Sequence, residues 1–308
     1  MTDPLADIRT GGKRAIASAL AELEARPEAD ATIALLDACW RAQSGLAVGF
    51  TGPPGVGKST LLNGLLKAFR ARGRTVAVLA VDPSSRASGG ALLGDRARMD
   101  ADPSDQGVFV RSLAARDRLG GLADIAPPAI VLFRALYDLV LIETVGVGQS
   151  ETEIADYADL VVFLAQPGSG DSLQFMKAGV MEVPDLAVVA KADLGLPARR
   201  AAADLKGALS LAVRDRPAPP VLMASAQTGE GVEALADAIL DEGLARAGAR
   251  LDAQRRRQDA AWLAAALRQK FGTEGLRALG PLADDGASPF LRERAASESL
   301  RQRLNTIV

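Results

Sequence analysis

The 308-residue sequence predicts an α/β fold. It is read as a mostly parallel sheet with helices on both faces, plus helical N- and C-terminal extensions. Three observations predict it. Seven short apolar runs, LAVGF, TVAVLAV, VFV, LVLIE, LVVFLA, LAVVA and VLMAS, alternate with stretches of helical spacing. Runs of this length and continuity mark strands buried on both faces. The flanks of this region carry helical spacing and no such runs. Finally, 48% apolar and 24% charged residues allow a full core and exclude a disordered chain.

Residues 1–45 form the first extension. Ile16, Leu20 and Leu23 share one stripe, and Ile33, Leu36 and Trp40 another. Pro27 separates the two and is placed to open the second helix. The stripes are expected to pack against the neighbouring domain. Residues 46–245 hold all seven apolar runs and form the sheet domain. In such a sheet the ligand lies beyond the carboxyl ends of the strands.

Residues 246–308 form a helical tail. Arg255, Arg256 and Arg257 read as a solvated face ahead of a helix in which Leu263, Leu267 and Phe271 align. The loop ADDGASPF leads to a last helix with Leu300, Leu304 and Ile307. With Trp262, these residues are more than a solvated extension carries. The tail is therefore expected to dimerise the chain, and a homodimer is the expected assembly. Folding back onto its own domain is the alternative.

Composition removes several function classes. Lys and Arg number 36 against 38 Asp and Glu, a net charge of −2, so no nucleic-acid footprint is expected. Cys39 is the single cysteine and there is no histidine. That excludes an internal disulfide and a zinc site, and leaves oxygen ligands, which suit Mg²⁺. The start, MTDPLADIRTGGKR, has no apolar run after its charges and does not read as a secretory signal. The most apolar stretch, Ala129 to Ile142, contains Arg134 and Asp138 and is too short for a bilayer. A cytoplasmic protein without membrane contact is expected.

The strongest motif is Gly52-Pro53-Pro54-Gly55-Val56-Gly57-Lys58-Ser59-Thr60, a full GxxxxGK[ST] between a predicted strand and a predicted helix. Glycines let the backbone curl around an anion, and the helix N-terminus adds its positive dipole end. Lys58 reaches the β- and γ-phosphates. Ser59 gives a hydroxyl oxygen to Mg²⁺. The sheet domain is thus expected to be a P-loop NTPase.

Two later motifs bear on the base. Ala190-Lys191-Ala192-Asp193 ends one strand, and Ser225-Ala226-Gln227-Thr228-Gly229-Glu230-Gly231 follows the next. They match the NKxD and SA loops of GTPases. Asp193 would accept from the guanine N1–H and 2-amino group, a donor pair that adenine lacks. Lys191 would lie along the base plane. Ser225, Ala226 and Gln227 would close over the base edge. Ala190 departs from the pattern, standing where asparagine is expected.

The run DLVLIETVGVGQ ends a strand in an acid followed by glycine. Glu143 could hold a Mg²⁺-bound water, and Gly146 could donate its N–H to the γ-phosphate. Together with VDPSS, SGGALLGDRARM, FVRSLA, LGGL, ETVGVGQSE and QFMKAG, the motifs resemble the MeaB/ArgK family. These are methylmalonyl-CoA mutase-associated GTPases of the signal-recognition-particle/MinD-like class. The resemblance runs from about Gly45 to Ile239.

The resemblance implies GTP/GDP as nucleotide and a catalytic set of Lys58, Asp82, Asp95 and Glu143. It places Ser59, Asp82 and Glu143 near Mg²⁺, and Arg98 and Lys177 in switch segments. It implies a GTP-hydrolysing chaperone that gates cofactor loading and protection of an adenosylcobalamin-dependent acyl-CoA mutase. Related GTPases also dimerise through C-terminal helices. A departure lies at Arg116-Asp117-Arg118, where the family more often has Arg-Gly-His. Three alternatives remain: a small-molecule kinase of ArgK type, a metal-insertion GTPase, and a non-catalytic protein holding GTP structurally. The second is disfavoured because the chain lacks histidine to hold nickel.

Overall fold

Each of the seven apolar runs forms a strand: β1 (Leu46–Thr51), β2 (Val76–Pro83), β3 (Val108–Ala115), β4 (Leu139–Glu143), β5 (Leu160–Ala165), β6 (Leu186–Val189) and β7 (Val221–Met223). The computed structural model describes residues 4–83, 102–115, 125–144, 153–168, 183–212, 217–282 and 285–307; at 81–83, 114–115 and 304–307 it describes backbone only. The strands form one sheet in the order β3-β2-β4-β1-β5-β6-β7. Every described pairing is parallel. β1 lies between β4 and β5, where the strand order changes direction. That switch point is where a ligand crevice opens in such sheets.

The two faces of the sheet bury different partners, in the strand period of two. Val48, Phe50, Val162, Leu164 and Val188 face one core with α3 (Lys58–Ala71) and α6 (Val232–Arg246). Phe163, Ala165, Ala187 and Val189 face the other with α5 (Leu196–Ala212). Asp159 and Asp185 sit at the amino ends of β5 and β6. They accept from Ala47 N–H at 2.7 Å and Val161 N–H at 2.8 Å, so these acids serve the ladder.

Contacts divide the chain into two units. The sheet unit holds residues 44–126 and 137–247. The other holds residues 1–43, 127–136 and 248–308. It contains α1 (Pro4–Ala25), α2 (Asp30–Ala42), nearly all of α4 (Ala126–Leu136), α7 (Ala249–Leu279) and α8 (Pro289–Ile307). The two terminal stretches thus fold together. α4 joins them although it lies between β3 and β4 in sequence. Ala129 to Phe133 are all buried, as expected of a helix that is apolar all round. Pro27 sits in the turn before α2, which begins at Asp30, so it does not open that helix.

Inside the helical unit the tail is held by its own chain. Leu263, Leu267 and Leu300 are buried, and the rings of Trp262 and Phe290 lie 4.9 Å apart. Lys270 Nζ bonds Glu28 and Glu293, each at 2.7 Å, and Arg301 reaches Glu28 at 3.1 Å. The apolar face behind the expected dimer is therefore covered at these positions within one chain. Arg255 is buried as well, while Arg256 and Arg257 are exposed, so only part of the arginine run is a solvated face. Trp40 Nε1 donates to Asp259 Oδ2 at 2.8 Å. Burial raises the Asp259 carboxyl above its ordinary range, against the pull of Trp40, Arg134, Arg255 and Arg292.

Candidate nucleotide site

The phosphate loop is shaped by glycine backbone. Gly52, Gly55 and Gly57 adopt φ of 145°, 73° and 102°. A Cβ at Gly52 would press into the Leu164 carbonyl of β5, so that close approach admits only glycine. Val56, fully buried, anchors the loop. Gly57 then starts α3, and Leu61 N–H donates to its carbonyl at 3.0 Å. Pro54, Gly55 and Thr60 stay exposed and Pro53 is buried.

Lys58 is only 6% exposed. Its Nζ donates to the carbonyls of Gly52 at 2.8 Å and Pro53 at 3.1 Å. The loop's own acceptors thus hold the ammonium within the turn that the motif predicts as a phosphate cradle. One residue on, Ser59 Oγ donates to Glu143 Oε1 at 2.6 Å. Glu143 ends β4 opposite Phe50 of β1 and Ala80 of β2. Thr144 fixes the chain after it, donating from N and Oγ1 to the Phe50 carbonyl at 3.2 and 3.3 Å. Asp82 lies two residues past Ala80, in register with Ala114. Glu143 and Asp82 thus belong to one end of the sheet, and Ser59 of α3 reaches that end through its bond to Glu143, although the three are far apart in sequence.

The second motif pair stands at the carboxyl ends of β6 and β7. Lys191 adopts φ 59° and ψ 45°, the left-handed region, and its Nζ donates to Gln166 Oε1 at 2.6 Å. Ala190 is buried and donates its N–H to the Ala165 carbonyl at 2.8 Å. Asp193 is exposed in the short 3-10 turn Ala192–Leu194. Ala192 N–H donates to the Ala224 carbonyl at 3.1 Å, tying this turn to the next loop. Ser225 is fully buried; its Oγ accepts from Gln227 N–H at 3.3 Å and Thr228 N–H at 3.2 Å. Its hydroxyl therefore shapes the loop, leaving half-buried Ala226 and exposed Gln227 at the surface.

Asp95, Arg98, Gly146 and Lys177 lie outside the described residues, as does the side chain of Asp82. Two residues that the motifs did not single out enter the site: Thr144, which positions the chain beyond Glu143, and Gln166, which holds Lys191. Among the described residues no three His, Cys, Asp or Glu side chains gather as a metal cluster.

The family model described as methylmalonyl Co-A mutase-associated GTPase MeaB matches residues 14–275. The chain belongs to this family. The match spans the sheet, α2, and most of α1 and α7, and ends before α8. GTPase ArgK of Escherichia coli is 37% identical over 272 residues, covering 85% of this chain and 82% of that protein. The mouse methylmalonic aciduria type A homolog, mitochondrial, is 42% identical over 222 residues, covering 70% of this chain and 54% of the mouse protein. A solved structure of an LAO/AO transport system kinase superposes with a TM-score of 0.69 at 31% identity, covering 97% of this chain and 96% of that one. The protein is accordingly a GTPase of the P-loop class, with the MeaB fold of sheet and flanking helices.

Proposed function

We propose that this MeaB-family GTPase is the chaperone of an adenosylcobalamin-dependent acyl-CoA mutase. Methylmalonyl-CoA mutase is the first candidate. The protein gates loading of the mutase's cofactor and protects the enzyme. The family match over residues 14–275 carries this reading, and the intact phosphate loop supports it. GTP binding and hydrolysis select between conformations that the mutase distinguishes.

In this reading Lys58 leaves its loop carbonyls for the β- and γ-phosphates, and Ser59 and Glu143 are the residues that would hold Mg²⁺. Their donor set fits that ion: a hydroxyl and a carboxylate oxygen 2.6 Å apart leave most positions to phosphate oxygens and water, as Mg²⁺ prefers. When bound, the ion neutralises charge on the phosphates. Asp82 and Asp95 join Glu143 around Mg²⁺ and the attacking water, Gly146 donates to the γ-phosphate, and Arg98 and Lys177 act as switch residues. Asp193 and Lys191 read guanine. The homodimer is supported by the family resemblance alone, because Leu263, Leu267 and Leu300 are covered within one chain.

The test uses the purified chain and the acyl-CoA mutase of its own host. The expected result is a complex whose formation depends on the nucleotide, faster GTP hydrolysis, and transfer of adenosylcobalamin to the mutase that stops when GTP is omitted. No complex and no change in hydrolysis would contradict the reading. Measuring GDP and inorganic phosphate in equal amounts separates it from transfer of phosphate to a small-molecule acceptor.

A further inference from the structure

We propose that Gln166 is a positioning residue for guanine recognition, supplying from just past β5 the amide that the base motif lacks at Ala190. This rests on the guanine reading above. β5 and β6 run in parallel register, with Leu164 opposite Val188 and Ala165 opposite Val189. Ala190 N–H continues the ladder by donating to the Ala165 carbonyl at 2.8 Å. The next pair is therefore Gln166 and Ala190. Leu164, Val188 and Ala190 all belong to the core on the phosphate-loop side, which includes Val56. By the alternation of the strands, positions 166 and 190 share that face. An amide at 166 thus stands beside the place where the motif's asparagine amide would stand.

The amide is engaged. Gln166 Oε1 accepts from Lys191 Nζ at 2.6 Å, and Gln166 is half-buried. Lys191 is the one non-glycine residue with positive φ among the described residues. A left-handed conformation costs a lysine on the order of 1 kcal/mol, so it persists where its surroundings over-determine it. Its backbone is fixed by the turn, where Leu194 N–H donates to the Lys191 carbonyl at 3.1 Å. Its ammonium is fixed by Gln166. With both ends held, the methylene stem is an apolar rail for the flat face of a base. Asp193, two residues on, is then set at one edge of that base.

The experiment measures affinity for fluorescent GDP in the full chain, for Gln166→Ala, Lys191→Ala, their double variant, and Gln166→Ala combined with Ala190→Asn. Gln166→Ala is expected to weaken GDP about tenfold, as for loss of a hydrogen bond to a charged group. The double variant should be no weaker than Lys191→Ala, because Gln166 acts through that residue. Adding Ala190→Asn should restore most of the loss, which repair of a merely structural defect elsewhere would not do. GDP affinity of Gln166→Ala within about twofold of the parent, or losses that multiply in the double variant, would overturn the inference. The guanine reading fails separately, if the parent chain binds ADP as well as GDP.

Discussion

The phosphate end and the base end of the site are built by different means. At the phosphate end the motif is complete and its shape resides in the backbone: three glycines with positive φ, a buried Val56, and Lys58 held by carbonyls of its own loop. All of this lies within nine consecutive residues. At the base end the shape depends on side chains as well as backbone, drawn from three strand ends. Gln166 follows β5, Lys191 and Asp193 follow β6, and Ser225 follows β7. A contiguous backbone device tolerates no substitution where its backbone needs glycine, as at Gly52. In a site assembled from several strands, a neighbour at the same register, as proposed for Gln166, has room to replace a missing group.

The largest expected effect breaks the phosphate end. Lys58→Ala should lower GTP hydrolysis by at least about 10²–10³-fold, the class of loss seen when one transition-state contact is removed. The melting temperature should stay near that of the parent, since the bonds from Lys58 Nζ to the Gly52 and Pro53 carbonyls lie within one loop. Steady-state phosphate release checks it. Hydrolysis within twofold of the parent would remove Lys58 from the site.

Next comes Gly52→Ala. The added methyl would press into the Leu164 carbonyl, and φ of 145° is itself strained for alanine. A loss of about 2 kcal/mol or more in urea unfolding is expected, together with weakened nucleotide binding. Gly231→Ala is the matching break at the base end. Its φ is 73°, and its methyl would press into the Met223 carbonyl of β7. It should loosen the Ser225 loop, weakening GDP binding more than it slows hydrolysis at saturating GTP. If both variants impaired binding and hydrolysis in the same proportion, the two ends would not be separable.

The smallest expected effect sharpens the comparison. Ala190→Asn restores the usual motif, yet Gln166 already holds Lys191. GDP affinity should rise by no more than about threefold, the size of a marginal extra hydrogen bond. Titration calorimetry checks it. A gain of about a hundredfold would show that nothing stands in for the missing asparagine.

Sequence made the phosphate end legible because its geometry follows from residue types at fixed local spacing. The same holds for the seven strands, whose apolar runs all appear in the sheet. Gln166 was not legible. In sequence it is only the polar residue before Pro167, and its importance depends on the β5–β6 register, which only folding defines. Ser225 is expected at the base edge from its motif, and what the fold adds is that its hydroxyl accepts from the Gln227 and Thr228 amides and so shapes the loop. α4 lies between strands in sequence, yet contacts group nearly all of it with the terminal helices. Periodicity shows that a helix has apolar faces but not which partner covers them, and the same limit applied to the tail around Leu263 and Leu267.

The most direct test of the base end is the affinity of Asp193→Asn for GTP and for xanthosine triphosphate. Asp193 is exposed beside the anchored Lys191, where a carboxylate can accept two donors from guanine. An asparagine there offers one acceptor and one donor, which matches xanthine, whose 2-oxo group accepts where guanine's 2-amino group donates. The account predicts that the parent prefers GTP and that Asp193→Asn prefers xanthosine triphosphate, with the order reversed. A variant that still prefers GTP as strongly as the parent would contradict it.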